Sequence, residues 1–315
     1  MAVKCLDQRC GENWAAYRGD CVEVMKGIPD NSIGMSVFSP PFAELYAYSD
    51  SDRDMGNCTG YNVFFKHFDF LIKELFRTVQ PGRVVAVHCI DIPAMKERDG
   101  YIGLKNFPGD IISHFQKEGF IYHSRHCIWK DPLTEATRTK ALGLMHKQLC
   151  KDSSRCRSGL PDYLIAFRKP GENEKPIEHK DGLTEYHGSG KVDGVGIKRS
   201  HNIWRAYASP VWMDVRQSNT LNKIEARESK DQKHICPLQL DVIERAIALW
   251  STKGDTVLTP FGGIGSEAYV ALKNERKSVL IELKDTYYNV ALKNILKAES
   301  IKSIECDSLF GDADG

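Results

Sequence analysis

The stretch Thr256-Val-Leu-Thr-Pro-Phe-Gly-Gly-Ile-Gly-Ser-Glu267 frames the whole chain. A short apolar, β-forming run, Thr256 to Thr259, leads into Phe261-Gly-Gly-Ile-Gly265, and a helix-compatible pattern starts at Ser266. Glycines at such a corner let the backbone turn tightly and come close to a ligand at the carboxyl end of the strand, where open α/β sheets bind cofactors. Downstream, Ser278 to Ile281 reads as a second strand ending at Glu282, a carboxylate able to accept hydrogen bonds from both hydroxyls of a ribose. Taken alone, a glycine-rich corner also serves dinucleotide enzymes and plain tight turns. The spacing here is Phe-x-Gly-x-Gly and not the Gly-x-Gly-x-x-Gly of pyrophosphate binders, which points to a cofactor carrying adenosine without phosphate.

Working outward, β-branched and apolar runs recur at Ile33–Ser39, Arg83–Cys89, Phe120–Trp129 and Tyr163–Arg168. Helical spacing separates them. Phe64, Phe65, Phe68, Leu71, Ile72, Leu75 and Phe76 form one stripe within Tyr61–Thr78, and Pro108–Glu118 and Pro237–Trp250 carry two further helical patterns. Strands alternating with helices predict an α/β fold with a central, mostly parallel sheet.

The second informative corner is Ser39-Pro40-Pro41-Phe42, directly after the apolar run Ile33 to Phe38. Consecutive prolines hold the backbone extended and lack amide hydrogens, so their carbonyls can face a ligand. An amino group conjugated into a base ring is a poor nucleophile. A hydroxyl at Ser39 and the Pro40 carbonyl could accept its two hydrogens and draw the nitrogen toward tetrahedral geometry, while Phe42 stacks on an extruded base. A turn that merely ends a strand has the same sequence. The presence of Phe-x-Gly-x-Gly and Glu282 in the same chain is what favours chemistry.

Bulk properties narrow the classes. The 315 residues carry 43 Lys and Arg against 42 Asp and Glu, a net charge of +1, so any nucleic-acid surface is local. Ten cysteines are scattered with no CxxC pair of zinc-ligand spacing, and the expectation is reduced thiols and no metal. The first residues lack a signal-peptide core and no apolar run approaches the roughly 20 residues of a membrane span, so the expected setting is the cytoplasm, with no membrane partner.

The paired motifs resemble those of the DNA amino-methyltransferases, [Ser/Asn/Asp]-Pro-Pro-[Tyr/Phe/Trp] and Phe-x-Gly-x-Gly, in the β-class order with the catalytic motif first. The resemblance covers roughly Tyr17 to Ala298. It implies a Rossmann-like fold that uses S-adenosylmethionine and a catalytic set of Ser39, Pro40, Pro41 and Phe42. It also implies cofactor contacts from Phe261, Gly262, Gly263, Gly265 and Glu282. By the same resemblance Asp20, in Gly19-Asp20-Cys21, bonds the adenine amino group with Cys21 beside it; capping of the following helix is the other reading of Asp20. Lys233-His-Ile-Cys-Pro-Leu-Gln-Leu resembles the segment at the methionine end of the cofactor, with His234 and Pro237 as contacts. Cys236 stands where many relatives carry Lys, and Thr259 where Asp is common.

The resemblance divides the chain into a catalytic part of the core, 1–169, a target-recognition insertion, 170–233, a cofactor-binding part of the core, 234–298, and a C-terminal tail, 299–315, acidic and ragged from Ser303 to Gly315. The insertion is rich in glycine and charge, with Lys198, Arg199, His201, Trp204 and Arg205 interleaved, which suits DNA contact as well as a solvated excursion. The polar run Leu45–Asn57 reads either as a loop closing over a flipped nucleotide or as plain surface. Expected partners are duplex DNA with its target base flipped out, and a second copy of the chain as a homodimer. Ser39 resembles the N4-cytosine enzymes, with N6-adenine as the alternative. RNA or protein-amide methylation and a DNA-binding protein without turnover remain as rivals.

Overall fold

The computed structural model describes residues 3–41, 60–139, 150–155, 157–179, 194–222 and 237–308. An antiparallel pair, β1 (Asp7–Cys10) and β2 (Trp14–Arg18), precedes α1 (Cys21–Met25) and β3 (Ile33–Phe38). Next come α2 (Tyr61–Thr78), β4 (Val79–Ile90), a hairpin of β5 (Ile92–Ala94) and β6 (Gly103–Lys105) enclosing α3 (Lys96–Asp99), then α4 (Phe107–Lys117). The sheet resumes with β7 (Ile121–Ile128), followed by α5 (Pro132–Thr139) and β8 (Asp162–Arg168). After α6 (Gly194–Ala208) and β9 (Val211–Trp212), the chain closes with α7 (Leu240–Trp250), β10 (Thr256–Thr259), α8 (Ser266–Lys273), β11 (Lys277–Glu282) and α9 (Asp285–Ser308).

Nine strands form one sheet in the order β1-β2-β11-β10-β3-β4-β8-β7-β9. From β2 through β4 every neighbour is parallel, while β8 runs against both β4 and β7. The expected mostly parallel α/β sheet is therefore present.

Side chains alternate across the sheet with period two, and each face buries its own helices. Val85 and Val87 of β4 pack with Phe64, Phe68 and Leu71 of α2 and Phe115 of α4. Val84 and Ala86, one residue out of phase, pack with Met35, Val37 and the α7 residues Val242, Ile243, Ala246 and Ile247. Helix α2 spans the residues whose spacing predicted it, and all of its predicted stripe except Phe76 is fully buried or nearly so. Both faces of the central strands are covered, which is why they read as near-continuous apolar runs.

The segment 170–233 adds a strand to the main sheet: β9 pairs in parallel with β7, and Trp212 is 1% exposed and stacked on His126. Asn219 O accepts from Leu240 N, and Arg216 is held by Asp241, so the segment is bonded to the cofactor half as well. Within the same segment α6 begins at Gly194. The tail expected from residue 299 is helical to Ser308, because α9 continues through that boundary. Among the described residues no helix is long and apolar enough to cross a membrane.

Candidate active site

Strands β10 and β3 are neighbours whose onward connections run in opposite directions: β10 leads through α8 to β11 on one side, and β3 leads through α2 to β4 on the other. A crevice at the carboxyl ends of strands forms at such a switch of direction and is where open α/β sheets hold ligands. Both corners singled out in the sequence lie at this point. Val257 pairs with Met35 and Leu258 with Ser36, and Ser36 Oγ donates to Leu258 O at 2.9 Å. Beyond the paired residues, the rings of Phe38 and Phe261 meet with centroids 5.7 Å apart.

The glycine corner is built by close backbone approaches. Gly262 N donates to Ile281 O at 2.7 Å, and a Cβ on Gly262 would lie 2.4 Å from Leu280 Cγ, so packing against β11 demands glycine there. Gly263 has φ +51 and open space where a Cβ would point. Gly265, at φ +88, comes within 3.1 Å of the Ala291 backbone of α9, measured from the position of a Cβ. Of these three glycines, Gly263 alone faces volume free of the described residues.

Glu282 ties the corner together. Its carboxylate accepts from Gly263 N at 2.7 Å and from Lys284 N at 2.8 Å, while its carbonyl accepts from Gly19 N at 3.0 Å. That last bond sets Asp20 next to the end of β11. Asp20 caps α1, with Oδ1 accepting from Glu23 N at 3.0 Å. Cys21, the first residue of α1, is buried in the core, and burial pushes its thiol well above the ordinary range. Pro237 is half-buried just ahead of Gln239, the N-cap of α7. His234 lies outside the described residues.

Next to this corner, the first turn of α8 buries Glu267, whose carboxyl is pushed up to about 8 by burial, with the charge of Glu282 acting in the same direction. Thr259, where an Asp was expected, is 1% exposed at the end of β10.

At the proline corner, Pro40 is buried while Ser39 and Pro41 are partly exposed; Phe42 lies outside the described residues, as does the 45–57 run. Ser39 Oγ stands 2.9 Å from Nδ1 of His88. Nε2 of His88 stands 3.2 Å from Oδ2 of Asp162, and Oδ1 of Asp162 is 2.5 Å from Lys130 Nζ. Burial pushes the Asp162 carboxyl up, but His88 and Lys130 outweigh that and hold it below the ordinary carboxylate value. These three residues were missed in the sequence. The available signal was a histidine inside the apolar run Arg83–Cys89, because polar side chains in a buried strand need partners.

A family model for N6/N4 methyltransferases, described as DNA methylase, matches residues 33–293. The type II beta methyltransferase M.BslI of Bacillus sp. (strain NEB-606) is 26% identical over 280 residues, covering 87% of this chain and 26% of its own length. The type II methyltransferase M.MjaI of Methanocaldococcus jannaschii is 25% identical over 223 residues, covering 71% of this chain and 64% of its own length. The chain thus spans about a quarter of one of these relatives and under two thirds of the other. Among solved structures, the PvuII DNA methyltransferase (cytosine-N4-specific) superposes with TM-score 0.63 at 17% identity, covering 96% of this chain and 94% of that one. A protein of Thermus thermophilus described as a DNA modification methylase, complexed with S-adenosyl-L-methionine, superposes with TM-score 0.60 at 20% identity, covering 90% and 95%. At these identities the two structures establish the fold.

Proposed function

The chain belongs to the N6/N4 DNA methylase family, and from that premise we propose that it transfers a methyl group from S-adenosylmethionine to the exocyclic amino group of a DNA base turned out of the duplex, with N4 of cytosine as the target. The observation that carries this reading is the meeting of the Ser39-Pro40-Pro41 corner with the Phe261–Gly265 corner at the switch point, joined through Phe38 and Phe261.

The glycine corner fits the cofactor. Gly263 leaves open volume among the described residues beside the Glu282 carboxylate, whose chemistry as an acceptor suits ribose hydroxyls. Asp20, fixed as the α1 cap through Oδ1, has Oδ2 left for the adenine amino group, so its two sequence readings are compatible. When bound, S-adenosylmethionine supplies an electrophilic methyl carbon on sulfur. The chain's own contribution is orientation. Ser39 Oγ and the Pro40 carbonyl accept the two amino hydrogens, which turns the nitrogen lone pair toward the glycine corner, and Phe42 stacks on the base. Neither a covalent link to the enzyme nor a cysteine nucleophile enters this scheme.

Duplex contact falls to the segment 170–233. There α6 presents Trp204, 64% exposed, beside Arg205, the pairing of flat and cationic side chains that nucleic acid recruits.

The test is transfer of a labelled methyl group from S-adenosylmethionine to duplex DNA, RNA and protein offered together, followed by nucleoside analysis. Label in N4-methylcytosine of duplex DNA is the expected result. Label in N6-methyladenine would reassign the base, label in RNA or protein would reassign the substrate class, and absence of cofactor binding by calorimetry would favour a DNA-binding protein without turnover.

A further inference from the structure

We propose that His88, braced by Asp162 and Lys130, is a positioning residue that fixes the direction of the Ser39 hydroxyl. The inference rests on the proposed methyl transfer and deepens it by naming what makes Ser39 an acceptor.

The arrangement follows from strand register. Phe38 pairs with Val87 across β3 and β4, so the next residue out, Ser39, comes level with His88. Across β4 and β8, His88 pairs with Leu164 and Ile90 with Asp162, which places Asp162 diagonally from His88 on the same face. His88 is 7% exposed and Asp162 2%, and Nε2 of the one lies 3.2 Å from Oδ2 of the other as a buried electrostatic contact without hydrogen-bond alignment. Lys130, just past β7, neutralises the carboxylate at 2.5 Å.

The charges set the direction of each hydrogen. Asp162, whose Oδ1 lies 2.5 Å from Lys130 Nζ, can only accept as a carboxylate, so the imidazole tautomer that suits it carries hydrogen on Nε2. Nδ1 is then an acceptor, and at 2.9 Å it takes the hydrogen of Ser39 Oγ. A free hydroxyl rotor would spend part of its time pointing its hydrogen at the incoming amino group, donor against donor. With that hydrogen committed to His88, both lone pairs of Oγ face outward, and the serine is a fixed acceptor before the base arrives. Preorganisation of this kind acts on the reacting geometry more than on ligand affinity.

The experiment measures kcat, KM for duplex DNA and Kd for S-adenosylmethionine in wild type, His88→Ala, Ser39→Ala, the double variant, His88→Asn and His88→Gln. Methyl transfer by wild type is established first; its absence defeats the proposed function itself. Given wild-type activity, His88→Ala is expected to lower kcat about tenfold or more, the scale of one well-placed hydrogen bond, with Kd for the cofactor and KM within about twofold. In the Ser39→Ala background the same change is expected to lower kcat no further, because its only route is through the lost hydroxyl. His88→Asn, whose Oδ1 stands near the place of Nδ1, is expected to recover most of kcat, and His88→Gln, which reaches toward Asp162 instead, is not. Unchanged kcat in His88→Ala, losses that multiply in the double variant, or equal activity of the Asn and Gln variants would each overturn the inference. Should His88→Ala fail to fold, the Asn and Gln pair decides it.

Discussion

The rings of Phe38 and Phe261 stand 5.7 Å apart at an interplanar angle of 55°, although one closes the third strand of the chain and the other follows the tenth. The tilted pair joins the ends of β3 and β10 just where each strand gives way to its corner. Its loss should loosen the spacing of the two corners before it affects the rest of the sheet. Phe261→Leu, which keeps apolar bulk without the ring, is expected to lower kcat for methyl transfer while costing only about 1 kcal/mol of stability, the scale of one aromatic pair. Urea unfolding and single-turnover kinetics on the same sample check both halves.

Adjacent glycines in the cofactor corner should fail in different ways. Gly262→Ala drives a methyl group into Leu280 and is expected to destabilise the fold by roughly 1–3 kcal/mol through overpacking. Gly263→Ala meets no atom of the described residues within 4 Å and carries the strain of φ +51, about 1–2 kcal/mol. Its methyl group points into the volume assigned to the cofactor. Calorimetry should therefore show weakened S-adenosylmethionine binding by a folded Gly263→Ala protein; wild-type affinity would move the ligand elsewhere.

Asp20 caps α1, and a single substitution separates that role from the adenine contact proposed for it. Asp20→Asn keeps an oxygen for Glu23 N and should leave stability within about 0.5 kcal/mol, because asparagine caps helices as well as aspartate does. The charge offered to the adenine amino group is gone, so cofactor affinity should fall. Asp20→Ala should lose both, with a stability cost of about 1 kcal/mol.

Arg83 and Asp255 form a buried pair at 3.0 and 3.4 Å, with the arginine side chain fully enclosed. Asp255 also accepts from Thr252 N and lies against Gly34, where an added Cβ would come within 2.9 Å of it. Asp255→Ala strands a buried guanidinium and is expected to cost about 3–5 kcal/mol. Denaturant unfolding of this variant beside wild type reads the loss directly, and a cost under about 1 kcal/mol would contradict the pairing.

The buried carboxyl of Glu267 gives stability a definite pH dependence. Its folded value, about 8, lies above the ordinary 4.5, so the folded protein retains a proton that the unfolded chain releases. The stabilising contribution is complete below about 4.5, declines as pH rises and is gone once pH passes about 8. Glu267→Gln keeps the shape without the ionisation. Its melting temperature should match wild type near pH 5 and exceed it near pH 8.5; parallel melting curves across that range would dismiss the assignment.

Where hydrophobic periodicity dominates, the fold was readable in advance: α2 begins and ends at Tyr61 and Thr78 as its stripe implies, and β10 occupies Thr256–Thr259. The corners were legible because proline and glycine act on their own backbone, which needs no knowledge of neighbours. The bracing of Ser39 was not, since it depends on register across β3, β4 and β8, and one sequence does not declare which strands pair. The same blindness hid β9. Val211-Trp212 is too short to show a period, and only its docking against β7 makes it a strand.

On the proposed function, Trp212 bears on how such a protein would change its preferred DNA sequence. Its indole is sealed beneath the sheet edge, while Trp204, eight residues earlier, projects into solvent. The segment is therefore divided between an exposed half, around Trp204, and a half anchored as masonry, around Trp212. Grafting a foreign recognition segment would succeed only if the graft carried a replacement for that anchor.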